Sequence, residues 1–199
     1  MESGVLMGES RMSESVIEAC KLGDRDAFRQ LFERHKDRVY SVALYFFGGD
    51  EATAGDVTQQ VFLKLFTRIG QFHGESEFTT WLYRLTTNAC VDEQRKRRRF
   101  LQFGEGVEVR EPRGTFTNED RLVKAEVAES VKHAVAALKP KLRVVMLLKY
   151  FEEMSYEEIA AVLGLSKGTV ASRLNRGHKI LARKLAPLRG ALVRAEQEG

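Results

Sequence analysis

The sequence predicts an all-α protein made of two small helical domains joined by a flexible linker, the second ending in a helix-turn-helix. Three observations lead there. Apolar residues recur at helical spacing on both sides of the middle, in a chain of 199 residues that is 43% apolar and holds only 3 prolines. Between them QFGEGVEVREPRGTFTN, 102–118, has glycines, a proline, mixed charge and weak periodicity, the composition of a linker. Near the end, SYEEIAAVLGLSKGTVASRL reads as two short helices hinged at one glycine. The resulting division is 15–100, a linker over 101–120, and 121–190.

In the first block Phe28, Leu31, Phe32, Val39, Val42, Ala43 and Phe46 form one apolar stripe. The glycines of Phe47-Gly48-Gly49-Asp50 read as a turn. Val57, Val61, Phe62, Leu65, Phe66 and Ile69 form a second stripe, and both stripes are assigned to the core. A third helix is expected from near Ser76 to the basic cluster at Arg95–Arg99. It turns Phe78, Trp81, Leu82, Leu85 and Ala89 inward, and sets Thr80, Tyr83, Arg84, Thr87, Asn88 and Arg95 on its other faces. Trp81 is expected to be at least half buried. The second block has helices around Leu122 to Leu138 and Leu142 to Phe151, followed by the hinged pair.

The hinged pair is built from local signals. Ser155 stands three residues before Glu158, a capping box, and Ile159, Ala160 and Leu163 follow at helical spacing. Gly164 can take the positive φ of a position just past a helix end, Ser166 can cap the next helix, and Val170, Leu174 and Leu181 lie on its apolar side. Ala160 and Gly164 are small where the two backbones are expected to approach. The outward face carries Ser172, Asn175, Arg176 and Lys179 at i, i+3, i+4 and i+7. Arginine can bond bidentately to guanine, asparagine to adenine and lysine to phosphate. The plainer reading of the same pattern is a helical hairpin with a solvated face.

Charge favours the DNA-binding reading. The net charge is +4 and the pI about 9.1, modest values that conceal segregation. From Ile159 to Ala195 there are eight Lys and Arg and no Asp or Glu, the electrostatic footprint of a polyanion-binding surface. A second run, Arg95-Lys96-Arg97-Arg98-Arg99, is weak by itself, because such runs are often solvated linkers.

Several classes are excluded. The longest aliphatic run, Val144–Leu148, is far too short to span a bilayer, and MESGVLMGESRM lacks the basic start and apolar stretch of a signal peptide; a cytoplasmic protein without membrane insertion is expected. Cys20 and Cys90 read as buried reduced thiols, and the four histidines are scattered. Neither a metal site nor a cofactor loop nor a Ser/His/Asp constellation is visible, so the chain is expected not to be an enzyme and to need no cofactor.

Both blocks together resemble a known family. DVTQQVFLKLFTRIGQFHGESEFTTWLYRLTTNACVDEQRKRRR, 56–99, is similar to the promoter-melting domain of extracytoplasmic-function (ECF) bacterial sigma factors, and SYEEIAAVLGLSKGTVASRLNRGHKIL to their second DNA-binding domain. The likeness covers about Ala19 to Leu188, and 15–100 then corresponds to sigma region 2 and 121–190 to sigma region 4. The resemblance implies a subunit that binds core RNA polymerase, through the β′ clamp and the β flap, and directs initiation at particular promoters. It also implies an anti-sigma partner, in that family often tied to a membrane, which releases the factor on a stress or environmental signal. Asp56, Gln59, Gln60, Phe62 and Leu63 correspond to the polymerase-docking surface. Phe72, His73, Gly74, Glu75, Ser76, Asn88, Arg95, Arg97 and Arg98 correspond to the part that reads and melts the minus-ten element. Lys167, Thr169, Ser172, Arg173, Asn175, Arg176 and Lys179 correspond to the minus-thirty-five reader.

The chain also departs from the family pattern. Ala171 replaces a frequent basic residue, which removes a phosphate or base contact. Gly177 replaces a small alanine, and a mid-helix glycine is expected to let the recognition helix bend or fray. Arg84 and Leu85 stand where housekeeping sigma factors have a tryptophan pair that wedges the duplex apart, so melting is expected to be weaker. Two other functions fit parts of the pattern: a stand-alone helix-turn-helix transcription regulator, and a sigma mimic that sequesters an anti-sigma factor without touching DNA. The helical first half counts against the regulator, and Arg95 to Arg99 with Asn175 and Arg176 count against the mimic.

Overall fold

A computed structural model describes residues 14–103 and 119–197, and among them the regular structure is entirely helical. Helix α1 covers 14–21, α2 Arg25–Phe46, α3 Glu51–Arg68 with a 3-10 turn at Ile69–Gln71, and α4 Phe78–Phe103. The second block comprises α5 Glu119–Ala136, α6 Pro140–Tyr150, α7 Tyr156–Leu163 and α8 Lys167–Gln197. Helix α4 continues to Phe103 and α5 starts at Glu119, so each enters the expected linker of 101–120; residues 104–118 lie outside the described residues. No described helix is long and apolar enough to cross a membrane.

Local signals fix the helix ends. The Asp24 carboxylate accepts from the amides of Asp26 and Ala27 at 2.8 and 3.0 Å and opens α2. Gly48 and Gly49 then take φ of 67° and 92°, which a side chain would disfavour. Asp50 caps α3 through the Thr53 amide at 3.0 Å. The third long helix starts at Phe78 rather than near Ser76, because Gly74 (φ 75°) turns the chain away from helical geometry and the first turn closes only at Trp81 N to Glu77 O, 3.2 Å.

Leu31, Val39, Ala43 and Phe46 of α2, Val57, Val61 and Leu65 of α3 and Leu82, Ala89 and Cys90 of α4 are buried in one cluster, as the stripes require. Phe66 is not core. It is 53% exposed and meets Phe28 edge-on at 5.0 Å, because α3 carries more apolar residues than one face can bury. His35 is buried beside the Phe78 ring; that burial, with Arg34 and Arg38 near, pushes its imidazole down to about 4.

The two blocks share this core. Helix α6 buries Val144, Val145, Met146, Leu147 and Leu148 in succession, the pattern of a helix covered all round, and it packs against α2, α4, α7 and α8. Tyr83 and Thr87, placed off the inward stripe by the sequence, are 5% and 3% exposed because α7 and α6 cover that side of α4. Polar bonds stitch the same boundary. Tyr83 donates its hydroxyl to the Glu152 carboxylate. Arg84 donates to the carbonyls of Ala161 (2.6 Å) and Val162 (3.3 Å). Arg143 donates to the carbonyls of Phe46 (2.5 Å), Leu138 (3.0 Å) and Ala136.

Candidate nucleic-acid interface

The helix-turn-helix is assembled by its backbone. Ser155 Oγ accepts from the Glu158 amide at 3.2 Å while Glu158 Oε2 accepts from the Ser155 amide at 2.7 Å, completing the capping box and holding the Glu158 carboxyl below its usual range. Gly164 ends α7 at φ 62°, ψ 43°, with Leu165 N bonded to Ala160 O at 2.9 Å. A Cβ at Gly164 would meet nothing within 4 Å, so this glycine supplies the left-handed turn and not the close helix approach expected of it. Ser166 Oγ accepts from the Thr169 amide at 3.2 Å and opens α8.

Close approach occurs instead at Gly177. A Cβ there would lie 2.8 Å from Met146 Sδ and 3.0 Å from its Cγ. Helix α8 does not fray at that point but continues to Gln197. Gly177→Ala is therefore expected to lower thermal stability, because overpacking of about 1–3 kcal/mol outweighs the gain in helix propensity of about 1 kcal/mol. A higher melting temperature for the variant would contradict this.

Val170 and Leu174 of α8 are buried, and Ser172, Asn175, Arg176 and Lys179 are exposed on its outer side. The other members of the predicted set sit at the margin. Lys167 is paired with Glu157 at 2.5 Å, Thr169 shares a hydroxyl bond with Ser166 at 2.9 Å, and Arg173 is half-buried.

The downstream set is less uniform. His73, Gly74 and Glu75 are exposed and Ser76 is half-buried, in a loop between the 3-10 turn and α4. Phe72 is half-buried against Phe78 and Trp81, at ring-centroid distances of 5.7 and 5.5 Å, and Lys21 lies over it at 5.7 Å. Trp81 is itself half-buried. Asn88 is exposed on α4. Within the basic run, Arg97 bonds Asp50 at 2.9 Å and Thr53 at 2.8 Å and covers the Phe47 ring. Burial pushes the Asp50 carboxyl up, but the bonds from Thr53 and Arg97 outweigh it and hold that group below the usual range. Arg97 thus braces the α3 cap, whereas Arg95, Arg98 and Arg99 are exposed, Arg95 beside Asp92 at 3.7 Å.

A third surface lies between α2 and α3. Phe28, Phe32 and Phe62 line a groove of about 460 Å³ edged by Asp56, Gln59 and Leu63. Leu63 is 59% exposed and Gln60 half-buried; Phe62, expected at the docking surface, is 5% exposed and forms the floor, edge-on to Phe32 at 4.7 Å. Phe28, Phe32 and Phe66 were missed as parts of this surface. The available signal was Leu63, an apolar position outside the second stripe and one helical turn from Phe66.

Among the described residues no group of His, Cys, Asp or Glu is placed to hold a metal ion. Cys20 and Cys90 are both buried, and burial pushes the Cys90 thiol up to about 12.

Two family profiles match this architecture: Sigma-70 region 2 over residues 31–100, which spans most of α2 to α4, and Sigma-70, region 4 over 128–181, which ends within α8. Over 185 residues the chain is 31% identical to the ECF RNA polymerase sigma factor SigW of Bacillus subtilis, covering 89% of this chain and 98% of the relative. The chain belongs to the ECF family of RNA polymerase sigma factors. It is also 30% identical over 197 residues to the ECF RNA polymerase sigma-E factor of Escherichia coli K12, covering 92% of this chain and 98% of that one. Among solved structures, CnrH in complex with the cytosolic domain of CnrY is similar at a TM-score of 0.61 and 28% identity, covering 86% of this chain and 96% of that one. A sigma factor RpoE from Bartonella quintana, bound to the anti-sigma factor NepR, shares the fold at a TM-score of 0.63. As a member of the ECF family this sigma factor binds core RNA polymerase and directs promoter-specific initiation; the region 2 match takes in the groove apart from Phe28, the loop and the basic run, and the region 4 match takes in the α8 face.

Proposed function

We propose that three surfaces divide the work of this sigma factor. Asp56, Gln59, Gln60 and Leu63, with the groove floored by Phe62, dock on the β′ clamp of core polymerase. The loop from Phe72 to Ser76, Asn88 and the exposed arginines Arg95 and Arg98 handle the minus-ten element. Ser172, Asn175, Arg176 and Lys179 read the minus-thirty-five element as duplex, with Lys167, Thr169 and Arg173 at the edge of the contact. On this reading region 2 corresponds to 15–100 and region 4 to 121–190. The observation that carries it is the α8 face: four residues with base- and phosphate-bonding chemistry, exposed on the side opposite the buried Val170 and Leu174. Catalysis belongs to the polymerase, and the sigma factor acts in the cytoplasm. Solved relatives bound to anti-sigma factors support a partner of the same kind here, released by an environmental signal.

Transcription in vitro with bacterial core polymerase and genomic fragments tests the function. Added protein is expected to produce new, discrete start sites; identical transcripts with and without it would overturn the reading.

Three finer outcomes are expected. Arg98→Ala should weaken binding to all promoters alike and shallow the dependence on log salt by about one unit. Arg97→Ala should instead act mainly on stability, because Asp50 already holds that side chain. Exchange of Gly74 to Glu77 for another sequence should change base preference within the minus-ten element while leaving minus-thirty-five binding intact, read by permanganate footprinting across single-base variants. An unchanged preference would return the loop to a connector and leave Asn88 as the reader.

A further inference from the structure

The loop assigned to the minus-ten element offers an aromatic ring for a base but, within itself, no cation for the attached phosphate. Gln71 to Phe78 holds two glutamates and neither lysine nor arginine. The basic run begins at Arg95, 17 residues after Phe78 on α4, and so lies about 25 Å further along that axis at 1.5 Å per residue. Proteins that hold single strands combine stacking aromatics with positive charge along the backbone. Here the charge comes from a different helix. Lys21, the last residue of α1, places its ammonium 5.7 Å from the centre of the Phe72 ring. We propose that Lys21 completes the minus-ten site by binding the phosphate of the nucleotide whose base stacks on Phe72. The inference rests on the reading that this loop handles the minus-ten element, and it extends the site to a helix that precedes residues 31–100, the region 2 match.

The backbone that carries Lys21 is held firmly. Ile17 and Cys20 are buried and anchor α1 in the core. The helix then ends in a Schellman turn, in which Asp24 N donates to Ala19 O at 3.1 Å and Gly23 N to Cys20 O at 3.0 Å, with Gly23 at φ 87°. The Lys21 side chain is only 22% exposed, and its ammonium donates to Glu18 Oε1 at 2.6 Å. A compact ammonium on a flexible four-carbon stem can change partners without moving the helix. Over an aromatic face it is attracted by the ring quadrupole, and an incoming base takes that same face. The ammonium then passes to the phosphate of the arriving nucleotide, exchanging a quadrupole for a full charge, and leaves Glu18, whose carboxylate repels the strand. Glu18 and Phe72 thus keep the cation at the mouth of the site until a strand replaces them both.

The test is fluorescence anisotropy of the full chain assembled with core polymerase, on a labelled single strand carrying a minus-ten sequence mapped from the transcription assay, at several salt concentrations. Lys21→Gln should make the dependence of log affinity on log salt shallower by about 0.7 unit, the value for one phosphate contact on a single strand. Its loss of affinity should accordingly be about two- to threefold greater at roughly 50 mM than at roughly 200 mM salt. Lys21→Arg should keep the wild-type slope. Glu18→Gln removes the competing carboxylate and should strengthen binding. If the pair were only a structural tie, both glutamine variants would bind more weakly and melt lower with the slope unchanged, and that result would overturn the inference. Phe72→Ala, expected to weaken binding, separates the two readings. Unchanged single-strand binding in Phe72→Ala would remove the loop from the minus-ten site. Weaker binding in Phe72→Ala, with Lys21→Gln at wild-type affinity and slope, would leave the loop in place and overturn the assignment of Lys21.

Discussion

Arg143→Met should lower the free energy of unfolding by about 3 kcal/mol, seen as a lower urea midpoint. Two effects oppose each other. Methionine relieves the burial of a guanidinium that is 6% exposed and that burial already pushes down to about 10; replacing buried charges with apolar groups is often neutral. The decisive cost is on the acceptors. Phe46 and Ala136 are the last residues of α2 and α5, and helix geometry leaves their carbonyls without intrahelical donors. Arg143 supplies the donors for both and for Leu138. Removing it leaves three acceptors in or beside the core, at about 1–3 kcal/mol for each one that water cannot reach. Arg143→Lys should recover part of the loss, since a point charge can serve one carbonyl but not the fork. A midpoint unchanged in Arg143→Met would show that water replaces the guanidinium.

Asn175→Ala and Arg176→Ala should each weaken binding to the cognate minus-thirty-five duplex by about 1–3 kcal/mol, roughly 5- to 150-fold, and relax specificity there. Both side chains are exposed, with Leu174 between them and the core, so circular dichroism and melting should be those of wild type. Lys179→Ala provides the contrast: without its bond to phosphate, cognate and scrambled duplex should bind more weakly alike, and the salt dependence should become shallower by about one unit. Fluorescence anisotropy on both duplexes at several salt concentrations separates the two patterns. Equal weakening on cognate and scrambled DNA for Arg176→Ala would reassign that residue to the backbone.

What the sequence disclosed follows from how local each signal is. Ser155, Glu158, Gly164 and Ser166 act within three or four residues of themselves, and all four take the expected helix-end positions. Stripes in α2 and most of α3 were legible for the same reason: a helix with one partner shows one apolar face. Helix α4 has partners on two sides, and Tyr83 and Thr87 are amphipathic enough to be buried against α7 and α6 without reading as apolar. Arg97 looks like its neighbours in RKRRR, and only the fold brings Asp50 to it, 47 positions earlier. Gly177 was read only as a weak point in its helix; its close packing depends on Met146, on another helix. Phe66 failed in the other direction, because apolar character marks an exposed groove as readily as a core.

The helix-turn-helix has a consequence for how this factor can diversify. Its crossing geometry is fixed by a reciprocal cap, a left-handed glycine and a second cap, and its anchoring by Val170 and Leu174. None of these residues belongs to the outer face of α8. Substitutions at Ser172, Asn175, Arg176 and Lys179 can therefore alter what is read while the scaffold keeps its shape, so duplicated copies of such a gene could drift to new promoters through intermediates that all fold.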